Sequence, residues 1–178
     1  MKWGAPDKIY LNLGMISRKT YPFEALTPVL LYQLLALRSE VFVVEQQCIY
    51  QDLDGKDIDA LHAMGFDETG QLISYARILP PGIAYPEYSI GRVIVALSHR
   101  GTGEGHRLMT YTMELIESME SKSAIRISAQ AHLEKFYEVH HFEATGKTYL
   151  EDGIPHLEMI YYPKLALWKI VQQYQSAH

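Results

Sequence analysis

The residues best suited to chemistry in this chain sit in the run Arg100-Gly101-Thr102-Gly103-Glu104-Gly105. Glycines without side chains let a ligand come close to the backbone. A helix that starts at such a run offers first-turn N–H groups with no partner inside the helix. Together they form a seat for anionic phosphate oxygens, and Arg100 at the mouth adds a fixed charge on a planar fork of donors. The run is not a P-loop, because His106-Arg107 follow where Lys and Ser or Thr are needed, and it lacks the third glycine of a dinucleotide fingerprint at position 106.

A strand must lead into this turn and a helix must leave it. Ile90, Val93, Ile94 and Val95 give Ser89–Val95 the character of a buried strand. After the glycines, Leu108, Met109, Met113, Leu115, Ile116 and Met119 recur at threes and fours, which predicts a helix. Upstream, Thr27-Pro28 is a capping hydroxyl followed by a first-turn proline, and the apolar face it opens runs to about Val44. Residues 61–66 and 71–79 read as strands joined by a turn at Asp67–Gly70. Beyond the central helix, a strand at 124–129, a short helix over 132–140 and strands at 144–149 and 156–162 around the turn Glu151–Pro155 complete the pattern. A first strand at Lys8–Leu13, a turn or lead-in over Gly14–Thr20 and a C-terminal helix carrying Leu165, Trp168, Ile170, Val171 and Tyr174 bracket it. This order predicts an α+β fold with a mixed sheet, divided as a lead-in (1–26), one domain (27–162) and a helical tail (163–178).

Arg100 to Gly105, read as Arg-x-x-Gly-x-Gly, resembles the acyl-CoA pyrophosphate loop of the GCN5-related N-acetyltransferases, the GNAT superfamily. About 30 residues further on, Ala131-His132-Leu133-Glu134-Lys135-Phe136-Tyr137, followed by His141-Phe142, resembles that family's second signature, with His141 where glycine is usual. Arg38-Ser39-Glu40-Val41-Phe42, Gln51-Asp52-Leu53-Asp54-Gly55, Tyr75-Ala76-Arg77-Ile78-Leu79, Ile90-Gly91-Arg92-Val93 and Glu151-Asp152-Gly153-Ile154-Pro155-His156 are similar to the ElaA-like branch, in register over roughly residues 27–162. Ile49 stands where that branch usually has proline.

The resemblance implies the GNAT fold, a mixed and mostly antiparallel sheet with splayed central strands and helices on both faces. It implies acetyl-CoA as cosubstrate and an amine as acceptor, with no metal. Backbone groups of Val93 and Val95 would pair with the acyl-pantetheine arm. Arg100 and the N–H groups of Gly101, Thr102, Gly103, Glu104 and Gly105 would hold the pyrophosphate. Tyr137 would protonate the leaving thiolate, since a phenol stays protonated at neutral pH. A carboxylate must take the amine's proton, because ammonium is not a nucleophile; Glu45 is the first candidate, with Asp52, Asp54 and Glu151 as alternatives. Arg38 and Arg92 are expected to pair with nearby acids.

Two other readings stay open. Arg38–Phe42 also resembles the start of acyl-homoserine-lactone synthases, which share the fold, and a CoA-binding module without catalysis would need the same loop. Asp52–Gly55 is too short for a calcium loop, His140, His141 and His156 lack ligand spacing for a metal, and Cys48 has no base argued for it. Composition sets outer bounds. At 178 residues, with 48% apolar and 21% charged residues, the chain holds one globular domain. A net charge of −5 argues against nucleic acid. The single cysteine and the lack of a secretory pattern predict a cytoplasmic protein, and no run of about 18 apolar residues suits a membrane. The apolar tail is a candidate homodimer contact.

Overall fold

The computed structural model describes residues 16–120 and 123–163. The expected strand at Lys8–Leu13 and the C-terminal helix lie outside these residues. Seven strands form one sheet in the order β1-β2-β3-β4-β5-β7-β6: β1 (Ser17–Pro22), β2 (Leu61–Phe66), β3 (Leu72–Leu79), β4 (Tyr88–Val95), β5 (Ile125–Gln130), β6 (Glu143–Glu151) and β7 (Ile154–Tyr161). Every pairing is antiparallel except β4 with β5. The sheet is mixed and mostly antiparallel with helices packed on both faces, the α+β layout that the sequence implied. Among the described residues, no helix is long and apolar enough to cross a membrane.

The first departure from expectation is β1. Its residues overlap the segment read as a lead-in, and its register runs from Ser17↔Phe66 to Pro22↔Leu61. As an edge strand it alternates exposed and half-buried residues, so it lacks the apolar run that marks inner strands. The turn between β6 and β7 is also shorter than expected. Asp152 and Gly153 both have positive φ, 51° and 79°, the two-residue hairpin geometry that suits a twisted ribbon.

Helix α1 (Pro28–Arg38) starts as its cap predicts, the Leu30 N–H donating to Thr27 Oγ1 at 3.2 Å. It then widens into a π-helical stretch, Ser39–Glu45, which accounts for the long apolar face. Leu34, Leu37 and Val41 pack on Met64, Phe66, Leu72, Tyr75 and Ile94 on one side of the sheet. On the other side, Leu108, Met109, Met113 and Ile116 of α2 (Glu104–Met119) meet Ala63, Ala76, Ile78 and Ile127. Adjacent residues such as Ala63 and Met64, or Tyr75 and Ala76, serve opposite faces, as the two-residue repeat of a strand requires. Burial of each large apolar side chain contributes about 1.5–3 kcal/mol, and the two layers hold the sheet from both sides. The short helix α3 (Glu134–Glu138) follows a 3-10 turn at Ala131–Leu133.

Candidate active site

β4 and β5 are registered only at Tyr88↔Ile125 and Ser89↔Arg126. From there they part, and β4 keeps pairing with β3 alone. A bulge opposite Ala76, where Arg92 has φ 54°, bends β4 away. The gap opens into a cleft of about 480 Å³. Ile90, Gly91, Arg92 and Val93 line it from β4, and Ser128, Gln130, Leu133 and Tyr137 from the opposite wall.

The glycine run lies at the end of the connection leaving β4. Gly101 and Gly103 have φ 74° and 83°, a conformation glycine adopts without a Cβ penalty. Thr102 Oγ1 donates to the His99 carbonyl at 2.7 Å and closes the turn. Gly103 caps α2 with no side-chain hydrogen bond, so the first-turn N–H groups keep their donors for an anion. The Glu104 side chain points inward. It is buried, accepts from Ser74 Oγ at 2.7 Å and pairs with Arg18, which leaves its backbone to the loop. Gly105 abuts the Phe136 ring, which a Cβ would meet at 3.4 Å.

Arg100 and Glu45, expected to hold phosphate and to take a proton, meet each other. Arg100 Nη2 donates to Glu45 Oε2 at 2.7 Å, and Arg100 Nε donates to the Val95 carbonyl at 2.9 Å. The π-helical stretch after α1 therefore brings Glu45 to the loop, and the Val95 carbonyl already has a donor. Tyr137 of α3 lies with its ring edge-on to Phe136 and Phe142, centroids 5.0 and 6.0 Å away. Burial pushes its hydroxyl up to about 12, and among the described residues that hydroxyl has no protein hydrogen-bond partner.

The aspartates expected as alternative bases are committed elsewhere. Arg38, fully buried, donates Nε to Asp52 and Nη1 to Asp57, each at 2.7 Å. Arg77 grips Asp54 through both terminal nitrogens at 2.7 and 2.8 Å. Arg92 donates Nε to Asp52 Oδ1 at 2.7 Å. Burial opposes ionisation of Asp52 and Asp54, but these guanidinium bonds outweigh it and hold both carboxyls below the usual range. The segment 52–57 is thus pinned by α1, β3 and β4 and forms a wall of the cleft. It is a neutralised cluster, not the solvated loop its polar sequence suggests.

Glu151 has no arginine or lysine partner among the described residues; Ser128 Oγ donates to its Oε2 at 2.9 Å. His140 faces His106, Nε2 to Nδ1 at 3.0 Å, beside Phe136. His156 is separate from that pair and lines the cleft with Cys48, Tyr149 and Glu151. Arg77, Ser128, Gln130 and His156 went unassigned in the sequence. Ser128 and Gln130 are the alternate, half-buried positions of β5, and this polar alternation was the one signal that marked them.

The chain matches the model of the acetyltransferase (GNAT) domain over residues 26–163. It is 44% identical over 131 residues to protein ElaA of Escherichia coli, covering 72% of this chain and 85% of that protein. It is 40% identical over 131 residues to a UPF0039 protein of Synechocystis, covering 74% and 85%. The crystal structure of E. coli ElaA superposes with a TM-score of 0.76 over 82% of this chain and 99% of that one. An acyl-CoA N-acyltransferase from Pseudomonas aeruginosa, 40% identical, superposes with a TM-score of 0.77 over the same shares, 82% and 99%.

Proposed function

The chain belongs to the GNAT acetyltransferases, in the ElaA-like branch, and on that premise we propose that it moves the acetyl group of acetyl-CoA to an amine by direct attack on the thioester. The observation that carries this reading is the parting of β4 from β5, with the glycine run at one end and Tyr137 on the wall. The donor's pyrophosphate would lie against the N–H groups of residues 101–105 with Arg100 beside it, and its pantetheine arm along Val93 in the gap. The thioester then reaches Tyr137. A hydroxyl held near pKa 12 by burial stays protonated at working pH, so it can donate to the departing thiolate as the C–S bond breaks.

The lactone-synthase reading is the alternative; Arg38, which carries that resemblance, is bonded to Asp52 and Asp57, and thiol release with S-adenosylmethionine as acceptor would favour it. The test is a thermal shift with acetyl-CoA, CoA, longer acyl-CoAs and NAD, followed by thiol release with a panel of amines. Stabilisation by acetyl-CoA and not by NAD, with amine-dependent thiol release, is the expected result. No shift with any CoA species at saturation would sink the donor assignment; tight CoA binding without turnover would favour a sensing module.

A further inference from the structure

The amine's proton still needs an acceptor, and the cleft contains a group suited to accept it. His156 Nδ1 lies 2.8 Å from the Ile154 carbonyl. A carbonyl can only accept, so Nδ1 carries the hydrogen and, in the neutral ring, Nε2 keeps a lone pair. That Nε2 is 4.0 Å from Glu151 Oε2. Two acceptors at that separation can each take one N–H of a bound ammonium. The imidazole is held in place by the Tyr149 ring, stacked at 6.2 Å and 13°, and its side chain is 11% exposed. Ser128, donating to the same Glu151 oxygen, fixes the carboxylate.

We propose that His156 and Glu151 seat the protonated amine of the acceptor and that His156 removes its proton before attack. The proposal rests on the amine-transfer reading above. The balance is as follows. R–NH3+ gives one proton to His156 Nε2 and becomes the nucleophile R–NH2. Its lone pair forms the C–N bond to the thioester carbonyl, the C–S bond breaks, and the thiolate takes the Tyr137 proton. The second proton leaving nitrogen restores Tyr137, and His156 passes the first to water. The products are amide, CoA thiol and one proton.

Most of the other charged groups on the cleft are paired with one another. Asp54 is held by Arg77, Arg92 by Asp52, and Lys147 lies 3.4 Å from Glu158. Lys56 pairs with Asp54 at 3.5 Å. Asp152 is exposed at the hairpin turn. Among the described residues, Gln130 lies opposite His156 on β5, and Cys48, after α1, lines the same cleft.

The test uses thiol release at saturating acetyl-CoA with 1,5-diaminopentane, phenethylamine and a blocked lysine peptide. His156→Gln should lower kcat by about 100-fold near neutral pH while the acetyl-CoA thermal shift is kept. In the wild type, activity should level off with pH well below the amine's own range. In H156Q it should keep rising tenfold per pH unit until the amine itself is neutral, about pH 10. Glu151→Gln should raise the amine KM about tenfold with a smaller change in kcat. A structural role for His156 predicts no change in the shape of the pH profile. If H156Q does not fold, the ring nitrogens of wild-type His156, read by NMR, decide: a hydrogen on Nε2 in the neutral ring overturns the proposal, and one on Nδ1 supports it. A wild type that binds acetyl-CoA and releases no thiol with any amine overturns the transfer reading and the proposal together. Turnover with an unchanged H156Q pH profile overturns the proposal alone.

Discussion

Arg100 donates to Glu45 across the mouth of the glycine run, Nη2 to Oε2 at 2.7 Å. Both side chains are partly exposed, 40% and 24%, so the pair is worth no more than about 1 kcal/mol. A pyrophosphate brings more charge and several acceptor oxygens to the same guanidinium and would displace the carboxylate. On the proposed donor seat, Glu45 competes with the pyrophosphate for the Arg100 guanidinium. Glu45→Gln should tighten CoA binding by up to about fivefold, the ratio that 1 kcal/mol supports. Arg100→Ala should weaken it by about tenfold or more. Calorimetry at low and high salt is the check, with the E45Q gain shrinking as salt rises. Weaker binding in E45Q would place Glu45 on the donor itself.

Tyr137 offers a cleaner separation of binding from chemistry. Its ring packs between Phe136 and Phe142, and phenylalanine keeps that packing. Tyr137→Phe should leave the acetyl-CoA affinity within twofold or so and lower turnover by about 100-fold. Because burial holds the hydroxyl near 12, loss of the acid should cause no fall in wild-type activity up to about pH 11. A high-pH fall nearer 9 would point to another donor.

The order of elements and the glycine turn before α2 were legible because both are local. Thr27-Pro28, the Asp67–Gly70 turn and the glycines at 101 and 103 each act within a few residues, and each is found doing so. What the sequence hid depends on long-range pairing. Asp52 and Asp54 look like loop acids until Arg38, Arg77 and Arg92 arrive from three other elements. Glu45 looks free until the π-helical stretch swings it to Arg100. His156 becomes a candidate base only once the β6–β7 hairpin sets Glu151 beside it.

The arginine–aspartate cluster should also fix how the protein responds to acid. Asp52 and Asp54 have depressed values when folded. Their contribution is present above the unfolded carboxylate value near 4 and is lost as pH falls through the lower folded values. His62 is likewise depressed, by burial between the Tyr75 hydroxyl and the Asp57 carbonyl. Its share is present above the ordinary 6.5 and goes as pH falls below it. His140, buried beside His106, acts in the same direction. Urea titrations should therefore show an early loss of stability below about pH 6.5 and a steeper one below about pH 4. His62→Gln should flatten the first limb and leave the second. Arg38→Met should cost about 3 kcal/mol at pH 7, since Asp52 and Asp57 each lose a buried partner.

Gly65 links the sheet to the glycine run before α2. It faces the α2 side of β2, and a Cβ there would lie 2.1 Å from Ser74 Oγ and 3.1 Å from Glu104 Oε1. Those two atoms hydrogen-bond to each other at 2.7 Å, so an added methyl must push apart the bond that anchors the first turn of α2. Glu104 also pairs with Arg18 of β1, which makes its displacement a strain on three elements. Gly65→Ala should destabilise the protein by about 1–3 kcal/mol and weaken CoA binding, because the N–H groups that follow Gly103 shift with Glu104. Adding Ser74→Ala removes the closest clash and should recover part of the stability. If G65A instead keeps full CoA affinity while losing stability, the Glu104 anchor serves folding alone and the loop is positioned from elsewhere, with Thr102 and the His99 carbonyl as the remaining hold.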